Sequence, residues 1–384
     1  MSERKLTTWQ AAGLIDSATV ARIRNYERAH SRPLALWSLI GIGALAIGLG
    51  LISVVAANWD DIPGLVRLAV HMLIIVSLAA YMGFTARAKT PANMNEYFDD
   101  AQIFILGALG LTFFGHLGQV YQTSSPLWQP LALWMLLFTP VMLGMGRGWP
   151  VALMWMVGLI GTTMAHIDHS FDLALRNTLS VAYQALISTP PIIAAIIATY
   201  FREHSDRPDF WRRLVILSLT TIIGGVSIAT IAQTSALNHL AATYWGEVSV
   251  ALMQALLLMI GAFAVYQIRR HATGIMATQL LALCGLIIAA IALIGDSDIG
   301  AAILFMLLWT GIAASALMAG LRWLFQVAVA VIALRLIILS FELANDLLGS
   351  GIGLILVGIF TLGIALGALT ISRRFAPSAE EDAA

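Results

Sequence analysis

The sequence predicts an all-α fold: a polytopic transmembrane helix bundle of about twelve spans, with both termini in the cytoplasm. Of its 384 residues, 59% are apolar and 11% are charged, against about 45–50% and about 25% in typical soluble proteins. This number of charges is too low to cover the surface of soluble domains of this length. Most apolar residues must therefore face lipid. The single cysteine, Cys284, excludes an intrachain disulfide.

Residues 1–33 are polar and are predicted to form a small cytosolic helical hairpin. Gly13 is expected to end the first helix, and Asp16 or Ser17 to cap a second helix that runs through about His30. The hairpin is expected to pack three apolar residues together: Trp9, Leu14 and Ile15.

Twelve apolar stretches of spanning length follow the hairpin. The first has 24 residues without a charge and starts too late in the chain for a cleavable signal peptide, so we expect it to be retained. The predicted spans are 34–57, 65–85, 101–121, 127–146, 149–165, 179–201, 214–232, 248–268, 275–294, 299–318, 321–341 and 350–371. The domains are therefore the hairpin 1–33, the transmembrane bundle 34–371 and a disordered cytosolic tail, 372–384.

The orientation follows from the charges between the spans, since Lys and Arg concentrate in short cytoplasmic loops. Eighteen of the 21 Lys and Arg residues fall in the termini and alternate loops, whereas the opposite loops hold only Arg67 and Arg176. Nine acidic residues lie in those opposite loops. Dropping one span would reverse every later loop and destroy this partition.

Glycines and tryptophans indicate where the helices pack closely. Gly107 and Gly110 in the third span are small enough to let another helix approach. Trp134, Trp155 and Trp309 lie deep in their spans, unlike the tryptophans near helix ends, and are expected to be packing residues.

Three motifs carry a family resemblance: "AAGLIDSATVARIRNYE" near the N-terminus, "AANWDDIP" after the first span and "GQVYQ" closing the third. They resemble the family of predicted bacterial membrane proteins catalogued as domain of unknown function 2157, over about the first 150 residues. The resemblance implies a multi-pass protein of the bacterial cytoplasmic (inner) membrane. It implies no substrate and no catalytic residue.

Polar residues of these motifs lie at the outer ends of the first and third spans. We expect Asn58, Asp60, Gln119 and Tyr121 to lie in one connected pocket, and His116 shares a helical face with Gln119. Polar groups at that depth need partners. They either bond backbone groups at the helix ends, as structural caps, or line a vestibule for a solute or ion.

Arg335 is the only Arg or Lys placed well inside a predicted span, and a charge there is costly. Glu342 and Asp346 follow on nearly the same helical face. Three interpretations stay open: a structural pairing, a site for an anionic solute or for coupling, and snorkelling to the outer headgroups.

Other chemical signals are weak. The segment "HIDHSFD" offers His166, Asp168, His169 and Asp172, but its spacing matches no strong metal signature, so we expect a solvated outer loop. We expect no metal, no cofactor and no catalytic residue. The basic residues are dispersed along the inner face, which indicates topology signals or lipid contacts rather than nucleic-acid binding.

These features favour an integral inner-membrane protein that acts as a membrane scaffold, a sensor or an envelope-associated factor. The alternative is a secondary transporter or exporter of a small solute. An intramembrane enzyme is not excluded, although we expect none. The expected partners are the lipid bilayer and either a small solute or a membrane protein.

Overall fold

A computed structural model describes most of the predicted bundle. The described residues are 6, 9–30, 46, 62–88, 96–122, 125–174, 181–232, 248–268, 272–294, 297–343, 359, 361–364, 366–367 and 370–371. Every regular element bounded in these ranges is an α-helix, as the composition predicts. The chain divides into two compact units, residues 1–69 and residues 70–384. The predicted domain boundary at residue 33 stays a prediction.

The first unit contains the predicted second helix of the hairpin, α1 (Ser17–His30). The Asp16 carboxylate caps it by accepting a hydrogen bond from the Thr19 backbone N–H at 2.9 Å. Hydrogen bonds from the side chain and backbone of Thr19 lower the pKa of Asp16 from its ordinary value. Gly13 has φ +69°, the left-handed conformation of a helix C-cap. Both predicted ends are confirmed.

The expected apolar core of the hairpin is wrong in part. Leu14 is 71% exposed and Trp9 is 38% exposed. Leu14 follows the left-handed glycine, where the chain turns away from the preceding helical turn. The buried apolar residues of the predicted hairpin segment are instead Leu6 and Val20, the latter on α1.

Eleven more helices are bounded in the described ranges. They are α2 (Gly64–Ala88), α3 (Glu96–Tyr121), α4 (Trp128–Met145), α5 (Trp149–Ala174), α6 (Val181–Ile187), α7 (Pro190–His204), α8 (Pro208–Ala232), α9 (Val248–Ile268), α10 (Ala272–Ile294), α11 (Asp298–Met318) and α12 (Arg322–Leu343). Nine of them, all except α6 and α7, are long and apolar enough to cross a membrane. They correspond to nine predicted spans, while 34–57 and 350–371 lie outside the described residues except at isolated positions.

The predicted span 179–201 is not one helix. It consists of α6 and α7, separated by Ser188 and Thr189. Pro190 and Pro191 have no N–H to donate to the preceding turn, and their rings clash with it, which accounts for the break at this point.

The predicted end of the fifth span at residue 165 is also wrong. Helix α5 continues to Ala174, so the whole "HIDHSFD" segment, residues 166–172, is helical rather than a loop. No proline or glycine occurs between Thr162 and Ala174, so the backbone keeps its helical hydrogen bonds although the side chains become polar.

The core of the second unit is organised around α8, which contacts α5, α7, α10 and α11. At α3, the Trp134 indole N–H donates to the Gly107 carbonyl at 2.8 Å. A Cβ at Gly110 would overlap the Phe138 ring. These close approaches confirm that Gly107 and Gly110 admit large neighbours, and that Trp134 is a packing residue.

Three of the predicted cytoplasmic segments meet at one end of the second unit. The Arg147 backbone N–H donates to the Asp100 carboxylate at 2.9 Å. The Arg207 guanidinium donates to the carbonyls of Gly146 at 2.6 Å and Leu143 at 2.7 Å, at the C-terminal end of α4, where carbonyls lack helical donors. Arg213 also donates to the Arg147 carbonyl. We call this region the basic end.

The Arg207→Ala variant should lower the free energy of unfolding by about 2 kcal/mol, because it removes two hydrogen bonds from a charged donor. The Arg212→Ala control should change it by about 0.5 kcal/mol or less, since Arg212 and its partner Asp209 are 56% and 76% exposed. Unfolding in mixed micelles, followed by tryptophan fluorescence, measures both. Equal effects of the two variants would contradict this account of the basic end.

Candidate functional site

The predicted polar residue His116 is buried and pairs with a second, half-buried histidine. His71 on α2 and His116 on α3 approach with their Nδ1 atoms 3.4 Å apart. The Nε2 of His71 lies 3.0 Å from the Leu109 carbonyl, which only accepts, so this nitrogen carries the proton. The other ring nitrogen of His71, Nδ1, faces His116. The sequence indicated His116 but not its pairing with His71.

The other residues of the predicted outer pocket are not brought together by the described structure. Gln119 is exposed and Tyr121 is 57% exposed at the end of α3. Asn58 and Asp60 lie outside the described residues. The connected pocket therefore stays a prediction.

Arg335 lies inside the second unit. It is 6% exposed, and its guanidinium carbon is 6.0 Å from the centroid of the Phe305 ring on α11. A buried cation over an aromatic face is an inward-packed arrangement, unlike an arginine that snorkels to the headgroups. The Glu342 side chain lies outside the described residues. The structural and the solute-site interpretations therefore both stay open.

A further cavity in the second unit was not predicted from the sequence. It is a groove of about 760 Å³ between α4, α5, α6 and the start of α7, and it contains no Asp, Glu, Lys or Arg side chain. Most of the lining is aliphatic or sulfur-containing. Its aromatic, imidazole or hydroxyl members are Trp128, Thr139, Trp155, Thr162, Thr163, His166 and Tyr183.

One end of the groove is polar. His166 Nε2 lies 2.8 Å from the Tyr183 hydroxyl, and the His166 ring packs edge-on against Trp128, with centroids 4.6 Å apart. We call these three residues the polar end. His166 therefore has aromatic and hydroxyl neighbours, not the solvated-loop setting expected for it.

Away from the polar end, the groove is lined by Trp155, Thr139 and Pro140. Trp155 is 8% exposed, and its indole N–H donates to the Thr139 hydroxyl at 3.0 Å, which confirms its predicted packing role. Pro140 lies inside α4 and deprives the Leu136 carbonyl of its usual helical donor. In this part of the groove the two polar side-chain groups of Trp155 and Thr139 bond to each other, and the remaining surface is mainly apolar.

The groove exists because the chain between α5 and α7 is interrupted. A straight helix over 179–201 would continue along the bundle, whereas the break after Ile187 allows α6 to form a separate wall. The Pro190–Pro191 pair was the signal that could have revealed this wall. Hydropathy alone averages over such a break, because both halves are apolar.

Chemically, this arrangement can bind but offers little for covalent catalysis. The groove has one imidazole, one phenol and three threonine hydroxyls. Across the described residues, no three His, Cys, Asp or Glu side chains are grouped closely enough to hold a metal ion.

The contact between Arg335 and Phe305 can be isolated by a double-mutant cycle with Arg335→Met and Phe305→Leu. The coupling free energy should be about 0.5 to 2 kcal/mol in favour of the native pair. The matched cycle uses Trp323→Leu, since Trp323 is on the same helix but 54% exposed, and its coupling should be below about 0.5 kcal/mol. Unfolding free energies measure both cycles, and equal coupling energies would contradict the assigned contact.

The comparisons with known proteins bear on the N-terminal part of the chain. Residues 7–151 match a family model described as "Predicted membrane protein (DUF2157)", which confirms the resemblance carried by the three motifs. No match was found among curated proteins or among solved structures. With nine described helices that can cross a bilayer, the chain is a multi-pass membrane protein whose residues 7–151 match the family of domain of unknown function 2157.

Proposed function

We propose that this protein binds an amphipathic, lipid-like molecule in the groove between α4, α5 and α6, and acts as a sensor or envelope-associated factor in the bacterial inner membrane. The observation that carries the proposal is the groove itself, which has a polar end and, apart from three threonine hydroxyls, a mainly apolar lining. Such a lining matches a molecule with one polar head and one apolar tail.

The size of the groove supports this occupant. Trp128 and Pro140 both line it, and their separation along α4 corresponds to about 18 Å at about 1.5 Å per residue. Half of the hydrocarbon core of a bilayer is about 15 Å. One acyl chain of a single leaflet therefore fits the length of the groove.

The edge of the groove supports entry from the membrane. Leu136 is 71% exposed and Leu186 is 51% exposed on its two sides, so the walls are apolar where lipid tails would lie. An amphipathic molecule can enter sideways with its head near His166 and Tyr183, without crossing an aqueous phase.

A second candidate function, secondary transport of a small solute, is favoured by the interrupted helix α6–α7. Transporters commonly form their binding sites where a membrane helix is broken. Movement of the bound molecule between the two faces of the membrane distinguishes transport from sensing.

We also propose twelve crossings with both termini in the cytoplasm. Helices α6 and α7 together cover residues 181–204, or about 36 Å at about 1.5 Å per residue, enough for one interrupted crossing. The charge partition and the meeting of three predicted inner segments at the basic end support this topology.

Reporter fusions test the topology. Fusions after residues 95, 176, 206 and 297 should report cytoplasm, periplasm, cytoplasm and periplasm. A pair of reporters, one active only in each compartment, provides the measurement and its control. Two or more reversed positions would refute the twelve-crossing arrangement.

Filling the groove tests the binding function. The Leu159→Trp variant places a large ring in the lining and should reduce labelling by a phospholipid with a photoreactive acyl chain severalfold. The Leu153→Trp control lies on the same helix, is 43% exposed and should leave labelling unchanged.

The measurement is photo-crosslinking in phospholipid vesicles, followed by mass spectrometry of the labelled peptides. Wild-type label should concentrate on α4 and α5 at the groove. Uniform labelling around the bundle, equal in both variants, would reject the proposed function. Flux of the same lipid between leaflets, abolished by Leu159→Trp, would favour transport over sensing.

A further inference from the structure

A second, smaller cavity lies deeper in the same unit. It measures about 150 Å³ and is lined by α5, α7, α8, α9, α10 and the break between α6 and α7. Its polar lining residues are Thr163, Ser188, Thr221 and Gln254. The remaining lining is aliphatic, apart from one glycine, one proline and one methionine.

Gln254 on α9 is the unusual member of this lining. It is 5% exposed, and neither its amide nitrogen nor its amide oxygen has a hydrogen-bond partner in the described structure. An amide buried among apolar helices carries a full desolvation penalty unless something bonds it. A leucine would fill the same place without that penalty, so the lone amide points to a ligand.

The hydroxyl groups around Gln254 all donate their hydrogen to a backbone carbonyl of their own helix or turn. Thr163 donates to the Leu159 carbonyl at 2.8 Å, and Thr221 donates to the Leu217 carbonyl at 2.9 Å. Ser188 likewise bonds within its own turn. Each hydroxyl hydrogen is therefore used, and each oxygen keeps lone pairs that can accept. The cavity offers several acceptors and the two N–H donors of one amide.

Two serines extend the polar lining beyond the cavity. Ser170 lies one turn after the lining residue Ile167 on α5, and Ser218 lies one turn before the lining residue Ile222 on α8. They are 2% and 0% exposed, and their hydroxyls have no hydrogen-bond partner in the described residues. The lack of partners is therefore a property of this region, not of Gln254 alone.

The charge of the lining restricts the ligand. No Asp, Glu, Lys, Arg or His lines the cavity. An ion there would be desolvated without a counter-charge, at a high free-energy cost. A neutral molecule incurs no such cost and can still satisfy Gln254.

We propose that this cavity is a binding site for a small uncharged molecule of the amide or urea class. A primary amide pairs with the Gln254 amide through two hydrogen bonds, one in each direction, and its remaining N–H group finds a threonine or serine oxygen. At about 30 Å³ per water-sized atom, the 150 Å³ cavity accommodates the four heavy atoms of acetamide or urea. This site does not rest on the groove or its lipid.

The test uses the purified full-length protein in detergent micelles, with acetamide and urea as probes. Saturation-transfer NMR should detect binding of both probes, and unlabelled urea should displace acetamide. Glycerol, which cannot form the paired amide bonds, should bind at least tenfold more weakly. The Gln254→Leu variant should lose at least tenfold in acetamide affinity.

The matched control is Gln129→Leu, which changes an exposed glutamine outside the cavity and should retain wild-type affinity. Thr221→Val provides a second variant if Gln254→Leu does not fold, and it should weaken acetamide binding severalfold. Absence of acetamide and urea binding to the wild type would overturn the proposal. So would wild-type affinity in the folded Gln254→Leu or Thr221→Val protein.

Discussion

Hydrocarbon cannot hydrogen-bond, so each polar group inside a membrane bundle has to find its partner within the protein or in a bound molecule. Much of the described structure follows from this constraint. Threonine hydroxyls bond their own helices, as Thr163 does with the Leu159 carbonyl. The Trp134 indole reaches across to a helix backbone at Gly107, which requires the small residue there. Gln254 is an exception, because its amide has no hydrogen-bond partner among the described residues, and this exception is the basis of the proposed ligand site.

The same constraint explains the two kinds of helix end. At the basic end, the carbonyls that terminate α4 receive the Arg207 guanidinium. Burial lowers the pKa of Arg207 from its ordinary value, yet arginine stays protonated in proteins, so these bonds persist at neutral pH. At the break before α7, prolines remove the donors instead, and Thr189 supplies both a backbone and a side-chain bond to the preceding turn. The C-terminal end of α4 is thus stabilised by a charged side chain, and the break before α7 by hydrogen bonds within the turn.

Hydropathy, charge and local residue preferences predicted those features of the fold that do not depend on which helices are neighbours. Nine spans, the cap at Asp16 and the turn at Gly13 follow from hydropathy and from local backbone preferences. Hydropathy does not reveal the break at Pro190, because a hydropathy window treats proline as a neutral member of an apolar run. Nor does it reveal the extension of α5, because the helix continues through polar residues. The groove and the Gln254 cavity could not be predicted, since each requires knowing which helices are neighbours. Of the predicted site residues, His116 and Arg335 are buried, and Gln119 and Tyr121 are exposed.

A single layer of backbone separates the groove from the small cavity. Ile187 and Pro190 line the groove, whereas Ser188 and Pro191 line the cavity, and Thr163 lines both. If this shared wall moves so that the groove becomes larger, the small cavity therefore becomes smaller, and the reverse also holds. Two occupants that each push the shared wall outward would exclude one another, whereas two that fit the existing walls would bind together. The interruption in the helix thus couples the two cavities, so that a change in the volume of one changes the volume of the other.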